Sequence, residues 1–174
     1  DEYAIFQRPG KVLHLDGDND YLQMCLKQYK ELGINAVGKM IAEEQQPKVV
    51  RQLLEEHKPD ILVLTGHDSM LKSEGSAAAS KGGDTLDRYR NSKFYIEGVK
   101  ESRKFQPALD ELVIIAGACQ SYYEGILAAG ANFASSPGRI MIHALDPVMI
   151  CKQVAYTPVD RIVPLEEVLR NTIT

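Results

Sequence analysis

Cysteine is scarce in this chain and scattered along it. Cys25, Cys119 and Cys151 are an odd number of isolated thiols, which argues against a disulfide framework and for a reducing compartment. No CxxC or HxxxH spacing occurs, so a structural zinc site has no ligand set; neither a metal nor a cofactor is expected. No apolar run approaches the roughly 18 residues a membrane-crossing helix needs. Positive charge is not in excess either. The formal net charge of −4 argues against nucleic acid or an anionic membrane as a partner. The absence of internal repeats excludes a solenoid. What is present, 174 residues with a 44% hydrophobic and 25% charged composition, suits one globular domain. Residues 1–10 read as a linker or strand remnant and residues 11–174 as the domain.

Two stretches organise that domain. Asp60-Ile-Leu-Val-Leu-Thr-Gly-His67-Asp68 and Glu111-Leu-Val-Ile-Ile-Ala-Gly-Ala-Cys119-Gln120 are short, β-branched apolar runs between a charge and a glycine, the pattern of buried parallel strands. One run stops at an imidazole and the other at a thiol. Active sites in open α/β sheets form beyond the carboxyl ends of the strands. If the two strands are neighbours, His67 and Cys119 face each other across about 5 Å, one strand spacing, which suits a Cys–His nucleophilic pair.

The rest of the chain supplies matching elements. Lys11–Leu15 reads as the first strand, followed by a helix from about Asp20 to Leu32 capped by Asp18 or Asn19 and closed by Gly33. Cys25 falls on the apolar stripe of that helix and reads as core. Ile34–Gly38 reads as a second strand. A helix opens near Pro47, with His57 at its polar end. Residues 69–91, rich in Gly, Ser and Ala, read as a long loop that either borders the site or is a surface excursion. Ser92 caps a helix to about Phe105, and a further helix spans Ser121–Ala129, closed by Gly130. Beyond it come strands at Asn132–Ser136 and Ile140–Ala144, a helix or turn from Asp146 through Cys151, a short strand at Val154–Tyr156 and a last helix at Pro164–Asn171. This alternation predicts an α/β doubly wound sheet with right-handed crossovers.

A thiol between a strand and a helix N-terminus has a lowered pKa, and Gly117 allows the close turn that frees the Cys119 N–H for an oxyanion. His14 and His143 lie within apolar strands; His14 reads as core, and His143 is the alternative base. Asp16 and Asp18 at the end of strand one, with Asp68 after His67, read as caps and turn residues or as a cation cluster. Asp146 reads as a helix cap, or as a carboxylate that recognises a basic substrate side chain.

An apolar strand ending in His and, about fifty residues later, one ending in Ala-Cys resembles the caspase-like cysteine peptidases. Gly10-Lys-Val-Leu-His-Leu-Asp-Gly-Asp18, Pro59 through Asp68, Tyr89-Arg-Asn-Ser-Lys93 and Ala116-Gly-Ala-Cys-Gln-Ser-Tyr-Tyr123 more closely resemble the YabG family of sporulation-specific proteases. The resemblance runs from Gly10 nearly to the end of the chain. It implies a caspase-like (flavodoxin-like), mostly parallel sheet with helices on both faces. It also implies a cysteine endopeptidase that processes spore coat and cortex-associated proteins near Arg, in the mother cell and the developing coat. His67 is then the base and Cys119 the nucleophile, with the N–H groups of Cys119 and Asp68 as oxyanion donors. Caspase-like peptidases place Gly directly after the His, where this chain has Asp68. Asp18, Ser135, Ser136 and Asp146 are the candidates for the substrate pocket.

Two rivals remain. A receiver-like signalling module would use Asp16 and Asp18 as its acidic pair, but needs an Asp ending strand three and a Lys ending strand five. Asp68 lies late and that Lys is missing. An amidotransferase-like hydrolase would pair Cys119 with His143, but Gln120-Ser121 lacks the second Gly of such an elbow.

Overall fold

A computed structural model describes residues 10–71, 86–118 and 121–134. The linker at residues 1–9 lies outside the described residues, as do the middle of the expected 69–91 loop, Cys119, Gln120 and every expected element after Ala134.

Among the described residues, five strands make one parallel sheet: β1 (Val12–Asp16), β2 (Ala36–Met40), β3 (Ile61–Thr65), β4 (Val113–Ala116) and β5 (Phe133–Ala134). Their order is β2-β1-β3-β4-β5, the flavodoxin-like winding, in which the strand order reverses beside β1 and β3. The helices are α1 (Asn19–Glu31), α2 (Gln46–His57), α3 (Ser92–Phe105) and α4 (Tyr123–Ala129).

The side-chain alternation of a strand explains why both sheet faces are apolar. Val12, Ile61, Val63, Val113 and Ile115 point to one face and pack with Cys25 and Tyr29 of α1. Leu13, Leu15, Leu62, Leu64, Ile114 and Ala116 point to the other, against Val50 and Leu54 of α2, Tyr95 and Val99 of α3 and Ile126 of α4. Each fully buried leucine or isoleucine contributes about 1.5–3 kcal/mol. Cys25 is fully buried, and burial, helped by the Asp16 charge, pushes its thiol up to about 12, so the core assignment is the right one.

Several boundaries differ from the sequence expectation. The second strand is Ala36–Met40 rather than Ile34–Gly38. Ile34 is taken by the end of α1, where Gly33 (φ +72) is left-handed, its N–H donates to Lys30 O at 3.1 Å, and the Ile34 N–H donates to Tyr29 O at 2.9 Å. This is a Schellman closure, with buried Ile34 supplying its apolar contact. Ser92 is the first residue of α3 instead of its cap; Asn91 holds the cap position and Ser92 Oγ is used elsewhere. Phe94 is half-exposed beneath the Lys93 ammonium. Residues 69–71 and 88–90 run antiparallel through a Met70–Tyr89 bridge, so both ends of the expected long loop are ordered.

Candidate active site

Parallel register builds the site. Asp16 of β1 pairs with Thr65 of β3, and the Gly17 N–H extends the ladder to Thr65 O at 3.1 Å. Asp18 and His67 each stand two residues beyond that pair. Their side chains meet, with His67 Nε2 at 2.7 Å from Asp18 Oδ2. The other Asp18 oxygen caps α1 by accepting the Tyr21 N–H at 3.1 Å. The Tyr21 amide, and after it His67, hold the Asp18 carboxyl below its ordinary 3.8 against the opposing effect of burial. The Asp18 N–H donates to Asp16 Oδ1 at 2.9 Å. Asp16 is fully buried, its second oxygen 3.0 Å from His14 Nε2, and His14 Nδ1 lies 2.8 Å from the Tyr29 hydroxyl. A polar line thus runs from Tyr29 through His14, Asp16 and Asp18 to His67. Only its last member opens widely to solvent, with the His67 side chain 72% exposed.

His67 is exposed at its ring but held at its main chain. Its N–H donates to Glu43 Oε2 at 2.8 Å. Its carbonyl accepts from Asn91 Nδ2 at 2.8 Å and from the Tyr95 hydroxyl at 3.0 Å. Glu43 comes from a single 3-10 turn, Glu43–Gln45, that follows β2. Its carboxylate occupies space that two glycines leave empty: a Cβ on Gly17 would lie 2.1 Å from Glu43 Oε1, and one on Gly66 (φ +155) 2.7 Å from Oε2. With Nε2 on Asp18, the other ring nitrogen, Nδ1, has no hydrogen-bond partner among the described residues. It is the nitrogen available for proton transfer.

Asp68 turns the other way. Its Oδ1 accepts the N–H groups of Ser69 at 2.9 Å and Asn91 at 2.8 Å. Its Oδ2 accepts the hydroxyls of Ser92 and Ser121, the latter at 2.9 Å. The Asp68 N–H donates to no atom among the described residues.

β3 and β4 are neighbours, with Leu64 opposite Ala116, and His67 and Cys119 are each three residues further along their chains. Thr65 Oγ1 donates to Gly117 O at 3.0 Å and ties the two strand ends together. Gly117 adopts φ +105, where a side chain is strained. Cys119 itself lies outside the described residues, as do Ser135, Ser136, His143 and Asp146. The helix after the thiol begins at Tyr123 rather than Ser121, because the Ser121 N–H bonds back to Ala118 O at 3.1 Å and closes a turn first. The dipole of that helix therefore starts further from Cys119 than the sequence suggests.

Glu43, Asn91 and Tyr95 are site residues that motif reasoning missed. The signals were the two glycines, Gly17 and Gly66, placed symmetrically at the ends of β1 and β3, and the Tyr89–Lys93 stretch. Among the described residues no group of three or more His, Cys, Asp or Glu side chains is placed to hold a metal ion. No helix there is long and apolar enough to cross a membrane.

The family described as YabG peptidase U57 matches residues 1–174. The chain belongs to that family. The sporulation-specific protease YabG of Bacillus subtilis (strain 168) is 50% identical over 169 residues, covering 97% of this chain and 56% of the relative. The chain thus spans about half the length of the curated relative it matches. Among solved structures, a putative response regulator from Chloroflexus aurantiacus is similar at TM-score 0.52 and 15% identity, over 86% of this chain and 100% of that one. NtrX from Brucella abortus in complex with ADP is similar at TM-score 0.53 and 11% identity, over 94% of this chain and 29% of that one. At such identities the likeness concerns the fold alone: an α/β parallel sheet wound in the flavodoxin-like manner.

Proposed function

We propose that this chain is the peptidase core of a sporulation-specific cysteine endopeptidase in which Cys119 is the nucleophile and His67 the base. The observation that carries the reading is the His67–Asp18 pair at the end of β3, beside the strand that leads to Cys119. Asp18 orients the imidazole, leaving Nδ1 for the thiol proton. The thiolate attacks the scissile carbonyl carbon, and the oxyanion is taken by the N–H groups of Cys119 and Asp68. The imidazolium protonates the leaving amine as the C–N bond breaks and a thioester forms. His67 then removes a proton from water, which hydrolyses the thioester.

Both Asp18 oxygens are engaged within the chain, so orienting His67 fits its geometry better than recognising a substrate side chain. That leaves Asp146, Ser135 and Ser136 as the proposed partners of a basic substrate residue. Cleavage near Arg, substrates among spore coat and cortex-associated proteins, and action in the mother cell and developing coat are carried over from the family resemblance. No cofactor enters the chemistry. The receiver alternative is disfavoured because Asp16, half of its acidic pair, is fully buried against His14.

The test is incubation with an Arg-containing peptide library. Cys119→Ala is expected to abolish cleavage while keeping the fold, and His67→Ala to cost about 10²–10⁴-fold. A Cys119→Ala protein that cleaves at the wild-type rate overturns the assignment; a His143→Ala variant that loses cleavage while His67→Ala keeps it moves the base to His143.

A further inference from the structure

The Asp68 side chain has no part in the chemistry above, yet it gathers four donors from three segments of the chain. Ser69 belongs to its own segment, Asn91 and Ser92 to the start of α3, and Ser121 to the turn before α4. The two hydroxyls do more than donate. Ser121 Oγ also accepts the Ala118 N–H at 2.8 Å, and Ser92 Oγ accepts the Tyr122 N–H at 2.8 Å. Both serines are fully buried. Through two hydroxyl relays, one carboxylate therefore reaches the amides of Ala118 and Tyr122, on either side of the stretch that contains Cys119. Only an ionised carboxylate accepts all four bonds; an amide in its place turns a donor toward hydroxyls that are already accepting N–H groups.

We propose that Asp68 is a positioning residue that, through Ser121 and Ser92, holds the β4–α4 turn against the segment carrying His67 and so sets the distance from thiol to imidazole. The inference rests on the Cys119–His67 reading and extends it to side chains that touch no substrate. Asp68 directly follows His67, so any displacement of the turn relative to Asp68 is a displacement relative to the base. Misplacement of a reacting group by about 1 Å can cost about a hundredfold in rate.

Ser121→Ala cuts the relay to Ala118 and leaves the α3 branch intact. It is expected to lower kcat about tenfold to a hundredfold with little change in KM. The midpoint of iodoacetamide alkylation at Cys119 should rise toward that of a free thiol, because a more distant imidazole stabilises the thiolate less. Ser121→Thr, which keeps the hydroxyl, restores most of both. Asp68→Asn reads the same quantities should Ser121→Ala fail to fold by circular dichroism. Wild-type kcat and an unmoved alkylation profile in folded Ser121→Ala overturn the proposal, leaving Asp68 as a stabilising cap of α3 that changes only Tm. Cys119→Ala separates the two levels. If it stays active, the nucleophile assignment fails and the positioning role falls with it; if it is dead while the serine and Asp68 variants behave as wild type, only the positioning role fails.

Discussion

The two ends of the sheet satisfy charge in opposite ways. At the amino ends of β4 and β5, the half-buried Arg103 guanidinium donates to the carbonyls of Gly130, Gln106, Ala108 and Leu112 and to Asn132 Oδ1. Every partner is neutral and part of the scaffold, and burial pulls the guanidinium below its ordinary pKa. At the carboxyl ends of β1 and β3, Asp16, Asp18, Glu43 and Asp68 are each met by donors, and the line through Asp18 stops at an imidazole with one nitrogen unspent among the described residues. A cation whose donors are consumed by scaffold carbonyls ties elements together and has nothing left for chemistry. A polar line that ends in a solvent-exposed imidazole leaves that ring accessible from outside the chain.

Substitution at each end tests that contrast. The largest effect is expected at the sealed end. Arg103→Ala strands the Gly130, Gln106 and Leu112 carbonyls, which have no other partner among the described residues, and should cost about 3 kcal/mol or more of stability, read by thermal or urea unfolding. Activity per folded molecule should be unchanged; a large loss there erases the distinction between the ends. Next, Asp18→Asn keeps a good helix cap but releases the His67 ring from a charged partner, so cleavage should fall about a hundredfold or more with stability nearly unchanged. The same variant has an acid signature. The wild-type carboxyl is held below 3.8, so its stabilisation is complete above that pH and is lost as pH falls through the lowered value; Tm profiles between about pH 2 and 5 should be flatter for Asp18→Asn. The smallest effect is expected from Gly17→Ala. A new methyl pushes the flexible Glu43 carboxylate off the His67 N–H, and should lower kcat several-fold with a change in stability of about 1 kcal/mol or less. A Gly17→Ala enzyme with full activity shows that the Glu43 contact is dispensable.

Much of this arrangement was legible in the sequence, and for identifiable reasons. The runs that became β3 and β4 are apolar at every position because both faces of a parallel sheet are covered. Asp18 was readable, alongside Asn19, as a candidate cap of α1 because both precede a helical stripe. Its bond to His67 was not, since it depends on the register of β1 against β3, which no local pattern encodes. Ile34 misled for a related reason: an apolar residue after Gly33 reads as a strand, yet the closure of α1 claims it. Ser92 and Ser121 read as helix starts because serine favours caps, whereas tertiary contacts recruited both hydroxyls to Asp68. Glu43 was invisible because its partner is a main-chain amide more than twenty residues away.

The fixing of His67 at both its amide and its carbonyl has a thermodynamic consequence. A ring mounted on a loose loop surrenders backbone freedom each time a ligand is bound, and that loss subtracts from affinity. Here Glu43, Asn91 and Tyr95 have already removed that freedom during folding. Whatever ligand arrives meets a stationary post, and the entropy of aligning it is left mainly to the visitor.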